Sequence, residues 1–321
     1  MSVGAPKIPV TVAEVVTVNP LVKRFRFVRR DGAPMLPFSG GAHVVVEMDD
    51  HGTRRLNPYS LMSAPDDTSG YEISVRRDDA GRGGSVYLHA HVTPGMQMVV
   101  STPVNLFPTD TRARKHLLIA GGIGITPFVA QMAGLQARAG RFELHYSARS
   151  RELAAYADTL TALYGDRVNV YLDDQNQQIN LGTLLQGQPL GTHLYVCGPK
   201  GMIAWVRTTA QTLGWPETAV HSEEFLAPPV GLPFTVQLAA SGKTITVGPA
   251  QSLLEAIEAA GVVAPYLCRG GACGECETGV LACDGAILHN DHWLTDDQKV
   301  GQTRIMPCVS RFAGASLVLD R

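Results

Sequence analysis

The sequence predicts a multi-domain chain in three parts: an antiparallel β-sheet or small β-barrel, a doubly wound α/β sheet, and a small α+β unit built around cysteines. Three observations carry that prediction. Short runs near the start alternate apolar and polar residues, and the middle alternates apolar strands with helical periods. Three of only six cysteines in 321 residues fall inside the stretch CRGGACGEC. The length itself exceeds what one hydrophobic core usually serves.

The first part, residues 1–110, contains the runs VTVAEVVTV, LVKRFRFV, AHVVVEM, YEISVRR and MQMVVST, broken by Gly, Pro and Asp. The second, residues 111–226, opens with KHLLIAGGIGITPFVAQMAGLQARAG, in which an apolar strand meets a glycine turn and then a helix. The strands RFELHYSA, RVNVYL and HLYVCGP then alternate with the helical segments RELAAYADTLTALYG and MIAWVRTTAQTLG, the pattern of a parallel sheet. Proline is concentrated in LAPPVGLPF, which places a linker at 227–233. The third part, residues 234–321, has the strands FTVQLAAS and KTITVG joined through Ser241-Gly242, then a helix, the cysteine loop and a last strand near ASLVLD. Ser252 and Glu255 form a capping box that starts that helix.

Composition excludes several classes of function. A formal charge of −2 offers no basic surface for a phosphate backbone, so nucleic acid is not an expected partner. The opening MSVGAPKIPVTVAEVV lacks the basic start and apolar core of a leader, and no run is long enough to span a membrane. The expected location is the cytoplasm, where thiols stay reduced and clustered cysteines signal metal or redox chemistry.

Cys268, Cys273 and Cys276 are spaced C-x4-C-x2-C, and Cys308 follows far downstream, which is the plant-type [2Fe-2S] spacing. Two sulfide-bridged irons need four thiolates, and Gly270, Gly271 and Gly274 let the loop curl so that amides approach the sulfurs. Structural zinc also accepts four cysteines, but it normally uses two C-x2-C pairs, and only one is present. Cys283, in LACDGA, could compete as a ligand but reads as a buried small hydrophobe in a strand and turn. A Rieske centre would need a C-x-H box, which the chain lacks, so it is not itself the oxygenase.

Gly121, Gly122 and Gly124 lie in GGIGITP, where a buried strand becomes a helix. Bare amides and the helix dipole there favour a pyrophosphate, although Pro127 stands where the full fingerprint has its third glycine. Cys197-Gly198-Pro199 ends a later strand of the same sheet, so both turns lie on one carboxyl edge and could flank one dinucleotide.

Taken together, YSL at 59–61, GRGGS at 81–85, GGIGITP, CGP, EEF at 223–225 and the four cysteines resemble the phthalate dioxygenase reductase family over essentially the whole chain. The resemblance implies a flavin barrel, a pyridine nucleotide domain and a β-grasp ferredoxin domain. It implies FMN as the flavin, NADH as donor, and a Rieske non-haem iron oxygenase as acceptor. It places Tyr59 and Ser60 along the flavin ring, with the Ser60 hydroxyl near the hydride-accepting nitrogen. Val75 and Arg76 would meet the ring edge, Gly83, Gly84 and Ser85 would hold the phosphate, and Phe225 would cover the other face. Thr126 and Cys197 would frame the nicotinamide. The family commonly reads R-x-Y-S, whereas here Asn57 stands in the arginine position. Either Arg55 reaches the phosphate from further back, or Asn57 and the amides at 83–85 hold it with less charge.

A flavin is needed because pyridine nucleotides deliver electrons in pairs and a [2Fe-2S] cluster accepts one at a time. The expected function is therefore a reductase passing electrons from NADH through FMN and the cluster to an oxygenase. Its rivals are a reductase of the same build serving a cytochrome P450, a redox carrier or sensor that has lost nucleotide binding, and a zinc-stabilised scaffold. Arg149 would either pair with a 2′-phosphate or lie against the adenine of NADH. His89 and His91 fall on an expected helix and do not share a face, His289 and His292 read as loop residues, and RARKH at 112–116 reads as a solvated interdomain segment.

Overall fold

The computed structural model describes residues 6–50 and 52–321; Met1–Ala5, the start of the segment read for a leader, lie outside the described residues. Alternating residues in the first part make strands β1 (Lys7–Asn19), β2 (Val22–Arg29), β3 (Ala42–Asp50), β4 (Thr53–Ser60), β5 (Tyr71–Arg76), β6 (Gln97–Ser101) and β7 (Val104–Asn105), with helix α1 (Gly84–His91) before β6. Their order is β4-β3-β6-β1-β2-β5, every pairing is antiparallel, and β7 pairs with β3. A bridge from Leu61 to Ile73 joins the two outer strands, so the sheet curls into a barrel. Val10, Val12, Phe25, Phe27, Val44, Val46, Tyr71 and Ile73 fill it.

The second part forms strands β8 (Lys115–Gly121), β9 (Phe142–Ala148), β10 (Val168–Leu172), β11 (Thr192–Cys197) and β12 (Val220–Glu223), with helices α2 (Thr126–Ala137), α3 (Ala157–Tyr164), α4 (Leu181–Gln186) and α5 (Lys200–Thr212). The order is β10-β9-β8-β11-β12 and all pairings are parallel. Apolar cores lie on both faces, as a doubly wound sheet requires. The helix expected from residue 151 starts only at Ala157. Tyr156, at φ 66°, breaks it, and its hydroxyl meets that of Ser74 at 2.5 Å in the barrel. Lys115 and His116 open β8 instead of belonging to a solvated segment, and His116 is buried.

The third part holds strands β13 (Phe234–Leu238), β14 (Lys243–Val247), β15 (Thr278–Cys283), β16 (Ala286–Leu288), β17 (Arg304–Ile305), β18 (Arg311–Ala313) and β19 (Leu317–Leu319), with helices α6 (Leu253–Ala259) and α7 (Asp296–Val300). The β13–β14 hairpin is followed by α6, and β13 pairs in parallel with the last strand, β19. Leu253, Leu254 and Ile257 of α6 share a core with Val236, Leu238 and Leu317 of the sheet, the β-grasp arrangement. The capping box expected at Ser252 and Glu255 starts α6. Residues 226–233 have no regular structure.

Candidate electron-transfer site

In the parallel sheet the strand order reverses between β8 and β11, and this switch point opens a crevice at the carboxyl ends of those strands. The two glycine turns meet there. A Cβ at Gly124 would overlap the carbonyl of Cys197, and one at Gly121 would stand 2.8 Å from Pro199. Gly198 packs on Gly121 in return, with 3.1 Å between its Cβ position and the Gly121 Cα. Gly122 takes φ 54°, a left-handed conformation suited to glycine. Side chains at Gly121, Gly124 or Gly198 would push the two turns apart. Thr126 is buried at the start of α2 and its hydroxyl donates to the Ile123 carbonyl at 3.0 Å. A separate surface cavity of about 500 Å3, lined by Lys115, Phe142 and Arg167, opens at the opposite, amino-terminal edge of the sheet.

Cys197 ends β11 directly beside Glu223, the last residue of β12. Burial pushes the Cys197 thiol well up, and raises the Glu223 carboxyl to about 8. Oε2 of Glu223 is buried without a partner. EEF at 223–225 gives no sign of a role for Glu223. Only the register of β12 against β11 brings it to Cys197, and spacing does not reveal register. Phe225, two residues beyond, is half-exposed, and Arg149 stands exposed after β9.

The barrel presents a second set. Tyr59 and Ser60 end β4, with Tyr59 accepting a hydrogen bond from the Asn57 amide at 3.3 Å and its phenol pushed up to about 12, mainly by burial. Ser60 is buried opposite His43 on β3, whose Nε2 is buried without a partner. Burial lowers the pKa of His43 to about 4, so the ring is neutral. Gly83, at φ 96°, caps α1. A Cβ there would lie 3.2 Å from the Arg55 guanidinium, and a Cβ at Gly84 would overlap the Asn57 amide. Both groups named as alternatives for the phosphate therefore stand over the same glycine turn. Arg55 is itself paired with Asp50 at 2.9 Å. Ser85 turns its hydroxyl to the Asp78 amide, 3.0 Å away. Val75 packs in the barrel core, where its carbonyl meets the His89 ring at 2.8 Å, and Arg76 is exposed. A glycine turn under Arg55 and Asn57, with the unpartnered Nε2 of His43 opposite Ser60, fits a phosphate-bearing flavin.

The cysteine loop is the third set. Cys268, Cys276 and Cys308 are buried and Cys273 half-buried. They fall in two pairs, Cys273 beside Cys268 and Cys308 beside Cys276. Cys273 and the amides of Gly270, Ala272 and Cys273 lower the Cys268 thiol, whereas Cys276 and burial raise Cys308. Among the described residues no three His, Cys, Asp or Glu side chains gather around one metal position. Two thiol pairs suit two irons, each taking two protein ligands, better than one tetrahedral zinc. Gly271 and Gly274 take positive φ, as expected for the curl, but the third left-handed residue is Arg269 at 51°, not Gly270. Its guanidinium pairs with Glu258 at 2.5 Å and stacks 3.7 Å over Tyr266, which holds the unusual backbone in place. Gly270 donates its amide to the Cys268 sulfur at 3.3 Å and faces the barrel, where Pro58 lies 4.0 Å from its Cβ position. Cys283 sits at the end of β15, half-buried against the core.

The histidines singled out in the sequence lie apart from these sets. His89 and His91 lie on α1, His289 sits beside Asp291, and His292 pairs with Glu224 at 3.0 Å.

Residues 9–108 match the family model described as an oxidoreductase FAD-binding domain, and 236–313 match a 2Fe-2S iron-sulfur cluster binding domain. Residues 98–220 match a dimethylamine monooxygenase subunit DmmA-like, N-terminal domain. The chain is 44% identical over 314 residues to the carnitine monooxygenase reductase subunit of Acinetobacter baumannii, covering 97% of each. It is also 44% identical to the heme-dependent oxidative N-demethylase beta subunit of Ectopseudomonas mendocina, covering 97% of this chain and 98% of that one. The solved structure of phthalate dioxygenase reductase superposes with a TM-score of 0.88 at 35% identity, covering 98% of both chains. The chain belongs to the phthalate dioxygenase reductase family. As a member of the phthalate dioxygenase reductase family it is an electron-transfer oxidoreductase with a flavin, a [2Fe-2S] cluster and a pyridine nucleotide site. Its barrel, nucleotide sheet and β-grasp unit are those of the family, as the sequence predicted. No described helix is long and apolar enough to cross a membrane.

Proposed function

We propose that this reductase takes hydride from NADH onto FMN and delivers single electrons through the cluster to a separate Rieske oxygenase. The chain is read as units 1–110, 111–226 and 234–321 joined by a linker at 227–233. The observation that carries the proposal is the approach of Pro58 to Gly270, 4.0 Å from where its Cβ would stand, because it brings the strand bearing Tyr59 and Ser60 up to the loop bearing Cys268. FMN, when bound, supplies the exchange between paired and single electrons.

The chain's own residues would do the positioning. The amides at 83–85, Arg55 and Asn57 hold the phosphate. Tyr59, Ser60, Val75 and Arg76 line the flavin, and Phe225 covers its free face until a nicotinamide takes that place. Gly121, Gly122 and Gly124, with Gly198 and Pro199, leave room for the pyrophosphate. Thr126 and Cys197 set the floor under the nicotinamide. Glu223, neutral at pH 7, can hold a proton beside the Cys197 thiol. Arg149 lies along the adenine of NADH. Cys268 with Cys273, and Cys276 with Cys308, each hold one iron.

Anaerobic mixing with NADH should bleach the flavin band first and the cluster band second, and the absence of both changes would return the carrier reading. The acceptor is tested by oxygen uptake with purified oxygenases. A haem acceptor is the second reading, supported by the 44% identity to a heme-dependent N-demethylase subunit. Turnover with haem oxygenases and none with Rieske oxygenases would favour it.

A further inference from the structure

Arg82, in the glycine turn that would hold the flavin phosphate, points away from solvent and into the ferredoxin unit. Its side chain is 8% exposed and that of its partner Glu255 is 9% exposed. Two nitrogens of Arg82 reach the two carboxylate oxygens of Glu255, at 2.6 and 3.4 Å. One of them also lies 3.5 Å from the Ala250 carbonyl, and the other donates to the Asn57 side-chain oxygen at 3.3 Å. Glu255 is the third residue of α6, and the same oxygen that takes Arg82 accepts the Ser252 amide at 2.8 Å. One carboxylate thus closes the start of a helix in the ferredoxin unit and grips the phosphate turn of the barrel.

We propose that the Arg82–Glu255 pair is the clamp that seats the ferredoxin unit on the flavin barrel, which makes Arg82 and Glu255 positioning residues for the step from flavin to cluster. The location supports this. Arg82 is anchored at Asn57, and the next residue, Pro58, is the one that meets Gly270 of the cluster loop. Two charge-assisted hydrogen bonds of fixed geometry hold the two surfaces in one register, and removing one partner leaves the other charge buried and unpaired between them. The clamp also gives Asn57 a physical reason. Its side-chain oxygen accepts from Arg82, whereas an arginine there would set a like charge against it. A single-electron step falls off steeply with separation, so loosening the seat slows that step and leaves the NADH-to-flavin step alone.

The clamp rests on the flavin-to-cluster reading, and its test separates the two. In the holoenzyme, Glu255→Gln keeps the acceptor that caps α6 but removes the charge that Arg82 needs. Stopped-flow mixing with NADH should show an unchanged flavin reduction rate and cluster reduction slowed by about tenfold or more. Hydrogen exchange read by mass spectrometry should quicken in segments 81–85 and 250–258. Glu255→Asp, which keeps the charge on a shorter arm, should fall between wild type and Glu255→Gln in both readouts. An unchanged cluster reduction rate in Glu255→Gln would overturn the clamp, whether or not exchange quickens, and so would equal slowing of both steps. Failure of the wild-type cluster to accept electrons from flavin would instead overturn the underlying reading.

Discussion

The carboxyl of Glu223 is placed by strand register and then left without a partner for Oε2, so burial raises its pKa from 4.5 to about 8. The sign of the consequence follows from linkage. Between those two values the unfolded chain ionises and the folded chain does not, so stability falls as pH rises through that window. Activity changes at the upper end of that window, for a local reason. Above about pH 8 a carboxylate would appear beside Cys197, where a neutral acid had been able to donate. Flavin reduction by NADH is therefore expected to slow as pH rises past about 8, and Glu223→Gln is expected to flatten that limb. The variant should also melt higher than wild type near pH 8 and no differently near pH 4. A pH profile identical to wild type would show that another group titrates.

At the scale of elements, the nucleotide site is made by two turns that touch, not by either turn alone. Gly124 belongs to the turn after β8, and a methyl group there would overlap the Cys197 carbonyl after β11. Backbone cannot yield as a flexible side chain can, so Gly124→Ala has to spread β8 from β11 at their carboxyl ends. The expected result is at least about a tenfold weaker NADH response in flavin reduction, with flavin and iron content unchanged on extraction. Wild-type kinetics would remove this turn from the site. The same turns mark what the sequence could tell. GGIGITP, CGP, the cysteine loop and the Ser252–Glu255 box were legible because each is specified by neighbours a few positions apart. The start of α3 was not, because Tyr156 stops the helix in order to reach Ser74 in another unit. Nor was Arg269, whose left-handed backbone depends on Glu258 and Tyr266 rather than on glycine.

For the whole molecule, the parts that sequence left hidden are those that join units. Arg82 and Glu255 are 173 positions apart, and no periodicity links them. Tyr156 reaches Ser74, and Gly40, just before β3, lies against the backbone of Gln131 in α2, fixing the nucleotide sheet to the barrel independently of the ferredoxin unit. His292 to Glu224 is the corresponding tie between ferredoxin and nucleotide units. The linker is held as well, since Arg311 donates to the Leu232 carbonyl at 2.8 Å. Barrel and nucleotide sheet each have their own buried core, so neither depends on iron for its folding. The cysteines behave differently. Cys276 and Cys308 belong to the core of the third unit, and Cys308 is the one proposed ligand that arrives from outside the loop. Cys308→Ser leaves one thiol of its pair alone and deprives one iron of a thiolate. The variant is expected to lose the cluster's visible absorbance while NADH still reduces the flavin at close to the wild-type rate. Loss confined to the third unit would also lower its melting transition and leave the transition of the other two in place. Parallel loss of flavin reduction and cluster absorbance would mean that the cluster unit supports the flavin site directly, and that the three units do not act as separable stages.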